Sequence, residues 1–197
     1  MTRIILAILI VLLIAGIIVI GILSRRLKTP PHKAAGDAGE DAAQAVIKRI
    51  LQKGDRCFRN VPLLHDGQET ELDFLIINTN GVFIIEVKNF SGEITGHADD
   101  RYWEKTKVSQ GGNEYVKRIE NPIPQIKREE RILGQFLRSK KIRVWVKGYV
   151  YFLRCNRPFR NRYLLNTGND IDREIHQETD RMLQEDAIRQ IIKELDL

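Results

Sequence analysis

Apolar residues follow three different rhythms along this chain, and each rhythm predicts a different element. Ile4 to Leu23 is an unbroken run without a charged residue. As a helix rising ~1.5 Å per residue it spans the ~30 Å hydrocarbon core of a bilayer. From about Ala35–Gly39 to Gln52 the apolar positions Ala43, Val46, Ile47, Ile50 and Leu51 recur at helical spacing, with Gly54 suited to end the helix. Cys57 to Leu64 reads as a strand that Pro62 assigns to a sheet edge or strand end. A turn at His65-Asp66-Gly67-Gln68 leads on. Two strand-length apolar runs, Glu71 to Ile77 and Val82 to Lys88, then flank Asn80-Gly81 and predict a β-hairpin.

Beyond the hairpin the pattern weakens and then recovers. Glu93 to Gly96 can form a short strand, and the stretch from Tyr102-Trp103 to Gly111-Gly112 another strand or a loop. Asn121-Pro122-Ile123-Pro124 precedes a helix over Gln125 to Ser139, whose core face uses Ile132, Leu133, Phe136 and Leu137. Ile142 to Leu153 is rich in the branched and aromatic residues that strands favour. A basic loop over Arg154 to Arg162, a short strand at Tyr163-Leu164-Leu165 and a closing helix over Asp180 to Leu195 complete the chain.

The formal net charge of +6 changes meaning once it is divided along the chain. Residues 30–100 and 163–197 are each acidic overall, whereas residues 101–162 hold 17 basic and 5 acidic side chains. The basic middle, not the total, is the argument for a polyanionic partner. Arg25, Arg26, Lys28 and Lys33 follow the long apolar run, against Arg3 alone before it, so the rest of the chain is expected on the cytoplasmic side of a cell membrane. No small-x-small cleavage site follows the run, which favours an uncleaved single-pass anchor over a signal peptide. Cys57 and Cys155 are then expected as free thiols, and no Cys-x-x-Cys or His-x₃₋₅-His spacing suggests zinc.

The hairpin carries the candidate chemistry. Asp73 lies in its first strand; Glu86 and Lys88 lie in its second and, two residues apart, share a face, with Val87 on the other. Charges converging on a mostly buried hairpin are costly unless they are used. Two neighbouring carboxylates invite a hard divalent cation such as Mg²⁺, which takes oxygen ligands and keeps waters for a phosphate. Val87 can offer such an ion only its backbone carbonyl. Lys88 is placed to handle the attacking water or contact a phosphate oxygen. The plainer alternative is an edge salt bridge between Asp73 and Lys88. Glu40 shares the apolar stripe of the first helix, and there its role as a first-turn acid complementing the helix dipole competes with one at the site. Tyr102 and Trp103 fit core packing better than base stacking, and His65 fits an exposed turn. The basic residues Arg138, Lys140, Lys141, Arg143, Lys147, Arg154, Arg157, Arg160 and Arg162 fit either a solvated face or a phosphate-tracking surface.

Gly39-Glu40, Leu72-Asp73, Glu86-Val87-Lys88, Phe90-Ser91-Gly92, Tyr102-Trp103 and Asn121-Pro122-x-x-Gln125 occur in the order and spacing of the nuclease-related domain (NERD) family. That family resembles a branch of the PD-(D/E)xK nuclease superfamily. The resemblance covers about residues 36–153. It implies an α/β fold, restriction-endonuclease-like, with a mixed sheet flanked by helices, here preceded by one N-terminal transmembrane helix. It also implies Mg²⁺-dependent cleavage of DNA, with Mn²⁺ as a possible substitute. Asp73 and Glu86 match the metal-binding acids, Lys88 the catalytic lysine, Glu40 the acid of the first helix and Gln125 the glutamine that opens the helix after the strands. Leu72 stands where many superfamily members have proline. The expected organisation is an anchor over 1–24, a basic linker over 25–35, the nuclease-like domain over 36–153, and a basic loop and helix over 154–197 that complete it. The partners expected are DNA and, through residues 4–23, the membrane. A fold that binds nucleic acid without cutting it, and a scaffold that recruits another protein, are the competing readings.

Overall fold

The computed structural model describes residues 31–109, 111–180 and 182–197. The expected transmembrane helix over 4–23 and the start of the linker lie outside them. No helix among the described residues is long and apolar enough to cross a membrane. The chain divides into two units, Met1–Asp37 and Ala38–Leu197, and the second carries the sheet and the candidate site.

Helix α1 (Pro31–Ile50) begins earlier than the apolar stripe suggests. Proline is tolerated in a first turn, where its missing N–H has no helical partner anyway. Two hairpins follow, built from β1 (Arg56–His65), β2 (Gln68–Asn78) and β3 (Gly81–Lys88). The first turns at Asp66-Gly67, both at positive φ (50° and 71°), the backbone a two-residue turn needs to match strand twist. The second turns one residue earlier than the Asn-Gly signal implies. Asn78 pairs with Gly81, so Thr79 and Asn80 form the loop. The Asn78 side chain accepts the Asn80 N–H, and both amide groups donate to the Ile175 carbonyl.

The main sheet has the order β1-β2-β3-β7-β8, with β7 (Val146–Phe152) parallel to β3 and β8 (Leu164–Leu165) parallel to β7. Strand β1 is at the edge, where Pro62 costs no ladder bond. Alternation divides the core into two layers. Phe74, Ile76, Phe83 and Ile85 pack with Ala43 and Ile47 of α1 and with Ile171 and Ile175 of α3 (Gly168–His176). Leu75, Ile77, Val82 and Ile84 pack with Ile126, Leu133 and Leu137 of α2 (Ile123–Ser139) and with Ile188 and Ile191 of α4 (Glu185–Glu194). Each of these buried aliphatic side chains contributes about 2 kcal/mol by leaving water. The α/β expectation of a mixed sheet flanked by helices is what forms.

Three elements depart from the sequence reading. Strand β7 starts at Val146 and not at Ile142, leaving Trp145 65% exposed. The closing helix is α4, ten residues from Glu185 and not from Asp180. Helix α3 was not expected, although Thr167 and Asp170 form the reciprocal cap that starts it. A second sheet, β4 (Glu93–Thr95), β5 (Tyr102–Val108) and β6 (Glu114–Glu120), holds the Tyr102-Trp103 segment. Trp103 is fully buried against Phe152 and Phe159, and its indole N–H donates to the His97 carbonyl. Core packing is its role.

Candidate active site

The last paired residues of β2 and β3 are Phe74 and Ile85, and one step further along the same register Asp73 stands opposite Glu86. Both fall on the α2 side of the sheet, at the carboxyl end of β3, beside parallel β7. Open α/β sheets bind ligands beyond such strand ends.

Hydrogen bonds join five of the six expected residues there. The Val87 N–H donates to Asp73 Oδ2 at 2.8 Å. The Lys88 ammonium donates to Glu86 Oε1 at 2.6 Å and to Gln125 Oε1 at 3.1 Å. The Asp73–Lys88 edge salt bridge of the plainer reading is not the contact made: Lys88 pairs with Glu86. Glu40 is attached from the other layer. It pairs with Arg59 at 3.3 Å, and Arg59 also binds Asp41 and Gln44. Glu40 touches neither Asp73 nor Glu86 by hydrogen bond, yet its charge adds to the field that raises Asp73. Gly39 admits this approach, since a Cβ there would lie 2.7 Å from Asn89 Cβ.

The Asn-Pro-x-x-Gln segment acquires a mechanical meaning. The buried Asn121 donates to the Ala98 and Asp100 carbonyls and accepts the Ile123 N–H. It thereby ties the start of α2 to the loop before β5 and fixes where Gln125 emerges.

Glu129 completes the set, and the sequence reading missed it. Gln125 Nε2 donates to Glu129 Oε1 at 3.0 Å, so Gln125 links Glu129 to Lys88. Glu129 is fully buried. An acid on the apolar stripe of a helix, three residues after Ile126 and four before Leu133, was the available signal. Burial first, then the Glu86 charge, pushes Glu129 up to about 8. Burial and Glu86 likewise push Asp73 up to about 7, against the bond from Val87. The second carboxylate oxygens of Glu86 and Glu129 are buried with no partner. Asp73, Glu86 and Glu129 thus share the one ammonium of Lys88, whereas Glu40 is paired with Arg59.

Asp73 and Glu86 are the pair that could hold a divalent cation. No group of three or more His, Cys, Asp or Glu side chains is arranged for a metal ion among the described residues. Mg²⁺ is commonly held by only one or two protein carboxylates with waters. Hard oxygen donors, an orphaned Glu86 oxygen and an Asp73 carboxyl raised by burial and by the Glu86 charge fit that ion.

A cleft of about 610 Å³ opens at Lys88 and Gln125, with Phe90, Arg101, Asn121 and Arg128 in its walls. Other basic residues of the middle stretch lie elsewhere. Lys140 pairs with Glu194, Arg138 lies near Trp145, and Arg157, Arg160 and Arg162 line a separate hollow with Asp170 and Glu174. His65 packs edge-on against Phe136 and has no place in the cleft. Cys57 and Cys155 are free thiols.

The family model for the nuclease-related domain matches residues 35–153. An uncharacterised protein of Bacillus anthracis is 29% identical over 94 residues, which is 47% of this chain and 42% of that protein. The chain therefore spans less than half the length of this relative. No solved structure matches it.

Proposed function

We propose, since the chain belongs to the nuclease-related domain family, that its folded unit hydrolyses phosphodiester bonds of DNA with a bound Mg²⁺. The observation that carries this reading is the bonded row Glu86–Lys88–Gln125–Glu129 beside Asp73, at the mouth of an open cleft. Asp73 and Glu86 would hold the ion, with the Val87 carbonyl as a further oxygen. When bound, it supplies charge that offsets the negative charge developing on the phosphate.

The protein's own groups do the rest. Hydrolysis forms one P–O bond from water and breaks one bridging P–O bond; the water loses a proton and the departing oxygen gains one. Lys88, whose ammonium donates to Glu86, would contact the attacking water or a phosphate oxygen. Gln125 is the positioning residue: its carbonyl accepts from Lys88 while its amide is held by Glu129. Arg59 holds Glu40 near Asp73 without neutralising the metal pair. The run over 4–23 anchors this unit to the cell membrane with the folded part facing the cytosol, as the flanking charges support.

The test uses the full chain in neutral detergent. Supercoiled, linear and single-stranded DNA are incubated with Mg²⁺, with Mn²⁺ and with chelator. Cleavage is expected only with metal, abolished by Asp73→Ala or Lys88→Ala. Mg²⁺ should also raise the melting temperature of the native chain and not of Asp73→Ala. DNA left intact in every metal and topology by a folded protein refutes hydrolysis; retained salt-sensitive binding would then leave a binding module.

A further inference from the structure

The β5–β6 ribbon carries lysines on one face where charge pairing would call for carboxylates. Strand residues alternate between faces, and buried Trp103 with its cross-strand partner Ile119, which lines the cleft, identifies the inner face. Lys105 and Lys107 follow Trp103 on that face in two-residue steps. The register sets Lys117 directly opposite Lys105, and Tyr115 opposite Lys107. On the outer face the same register opposes Glu104 to Arg118, while Arg118 and Arg101 lie over the Tyr102 ring. The outer face is charge-complementary and the inner one is not.

Like charges directly across an antiparallel pair destabilise it. Among the described residues no carboxylate forms an ion pair with Lys105, Lys107 or Lys117. Burial first, and then Lys107 and Lys117, pull the Lys105 ammonium below the usual lysine range. The Lys105 ammonium lies 5.3 Å from the centroid of the Phe90 ring, and Phe90 is a wall of the cleft beside Lys88. The ribbon is held close there. Gly92, at positive φ, lets the loop after Phe90 touch the Thr106 carbonyl, and Asn156 donates to the carbonyls of Phe90 and Gly92. The lysines therefore meet the cleft wall at Phe90. Lys105 and Lys107, two apart on one strand, repeat at ~7 Å, with Lys117 across from Lys105, a spread of charge that suits a linear polyanion better than a single phosphate.

We propose that the Lys105–Lys107–Lys117 face of the ribbon is a DNA-backbone rail that prolongs the candidate active-site cleft and holds the phosphates flanking the cleaved bond. This rests on reading the cleft as a DNA hydrolase site. The repulsion built into the ribbon is relieved when phosphates replace the missing carboxylates.

The test is the salt dependence of DNA affinity, measured in chelator on the full chain in neutral detergent with a 30-base-pair duplex. Each phosphate contact contributes ~0.9 to the slope of log affinity against log salt. Replacing Lys105, Lys107 and Lys117 together by Gln should make the slope shallower by about 2–3 and weaken low-salt binding at least tenfold. The melting temperature should hold or rise, since repulsion is removed; a merely structural role predicts a fall. If the triple variant melts lower, the exposed Lys117→Gln alone decides, with a slope change of about 1 expected. Unchanged slopes on a native chain that binds DNA overturn the rail and leave the reading of the cleft standing. A native chain that binds no DNA at any salt overturns both.

Discussion

Replacing Glu129 by Gln should make the protein more stable at high pH, because the native carboxyl is buried without enough partners to ionise there. The folded-state value of about 8 compares with the ordinary 4.5. Below pH 4.5 the group is protonated in both states and costs nothing. Between 4.5 and 8 the unfolded chain gives up its proton while the folded chain keeps it, so stability falls as pH rises. At ~1.4 kcal/mol per unit, the loss is roughly 3 kcal/mol by pH 7 and 4–5 kcal/mol above pH 8. The Gln side chain resembles the protonated acid in shape, and its amide oxygen keeps the bond from Gln125. Urea unfolding in chelator, followed by the fluorescence of buried Trp103, measures the difference. At pH 5 the variant and the native chain should agree within ~1 kcal/mol; at pH 8.5 the variant should be more stable by about 3–5 kcal/mol. Two stability profiles that run parallel from pH 5 to 8.5 would refute the argument that Glu129 is held protonated by burial and Glu86.

Two more outcomes follow from other parts of the fold. His176 lies 2.9 Å from Asp55 and 2.7 Å from Asp172; burial pulls its pKa down, but these bonds outweigh it and raise it overall. Its contribution is complete below the ordinary imidazole value and fades as pH rises through the raised one, so His176→Gln should cost about 2 kcal/mol at pH 6 and less at pH 9 by urea unfolding. Gly148 faces α2 so closely that an added Cβ would lie 2.6 Å from Ile126 and 2.8 Å from Glu130. Gly148→Ala should therefore cost 1–3 kcal/mol in thermal unfolding, roughly, whereas Gly36→Ala, in open space on α1, should gain up to ~1 kcal/mol.

The parts of the site that were legible are those set by short-range geometry. Glu86 and Lys88 share a face because strands alternate, and Lys88 indeed binds Glu86. Asp73 shares that face whichever way the hairpin turns, but its partner was not legible: a loop at Asn80-Gly81 would set it opposite Lys88, and the loop at Thr79-Asn80 sets it opposite Glu86. Gln125 was placed by its Asn-Pro segment, but nothing local said that its amide would be gripped by Glu129. Glu129 was passed over because an acid in a helix of mixed charge reads as solvated. Strand β6 was passed over because all but one of its residues are exposed, leaving no alternation to read.

The sequence by itself determined the hairpin, the edge position of the strand with Pro62, the stripes of α1 and α2, and the shared face of Glu86 and Lys88. Only the tertiary structure decided that β7 runs parallel beside β3, that α2 lies over the strand ends, and that Glu40 approaches from the opposite layer, held by Arg59. The reason is physical. Facing and register depend on neighbours one to four residues away, whereas the pKa of Glu129 and the unrelieved charge of Lys105 depend on which distant groups exclude water around them.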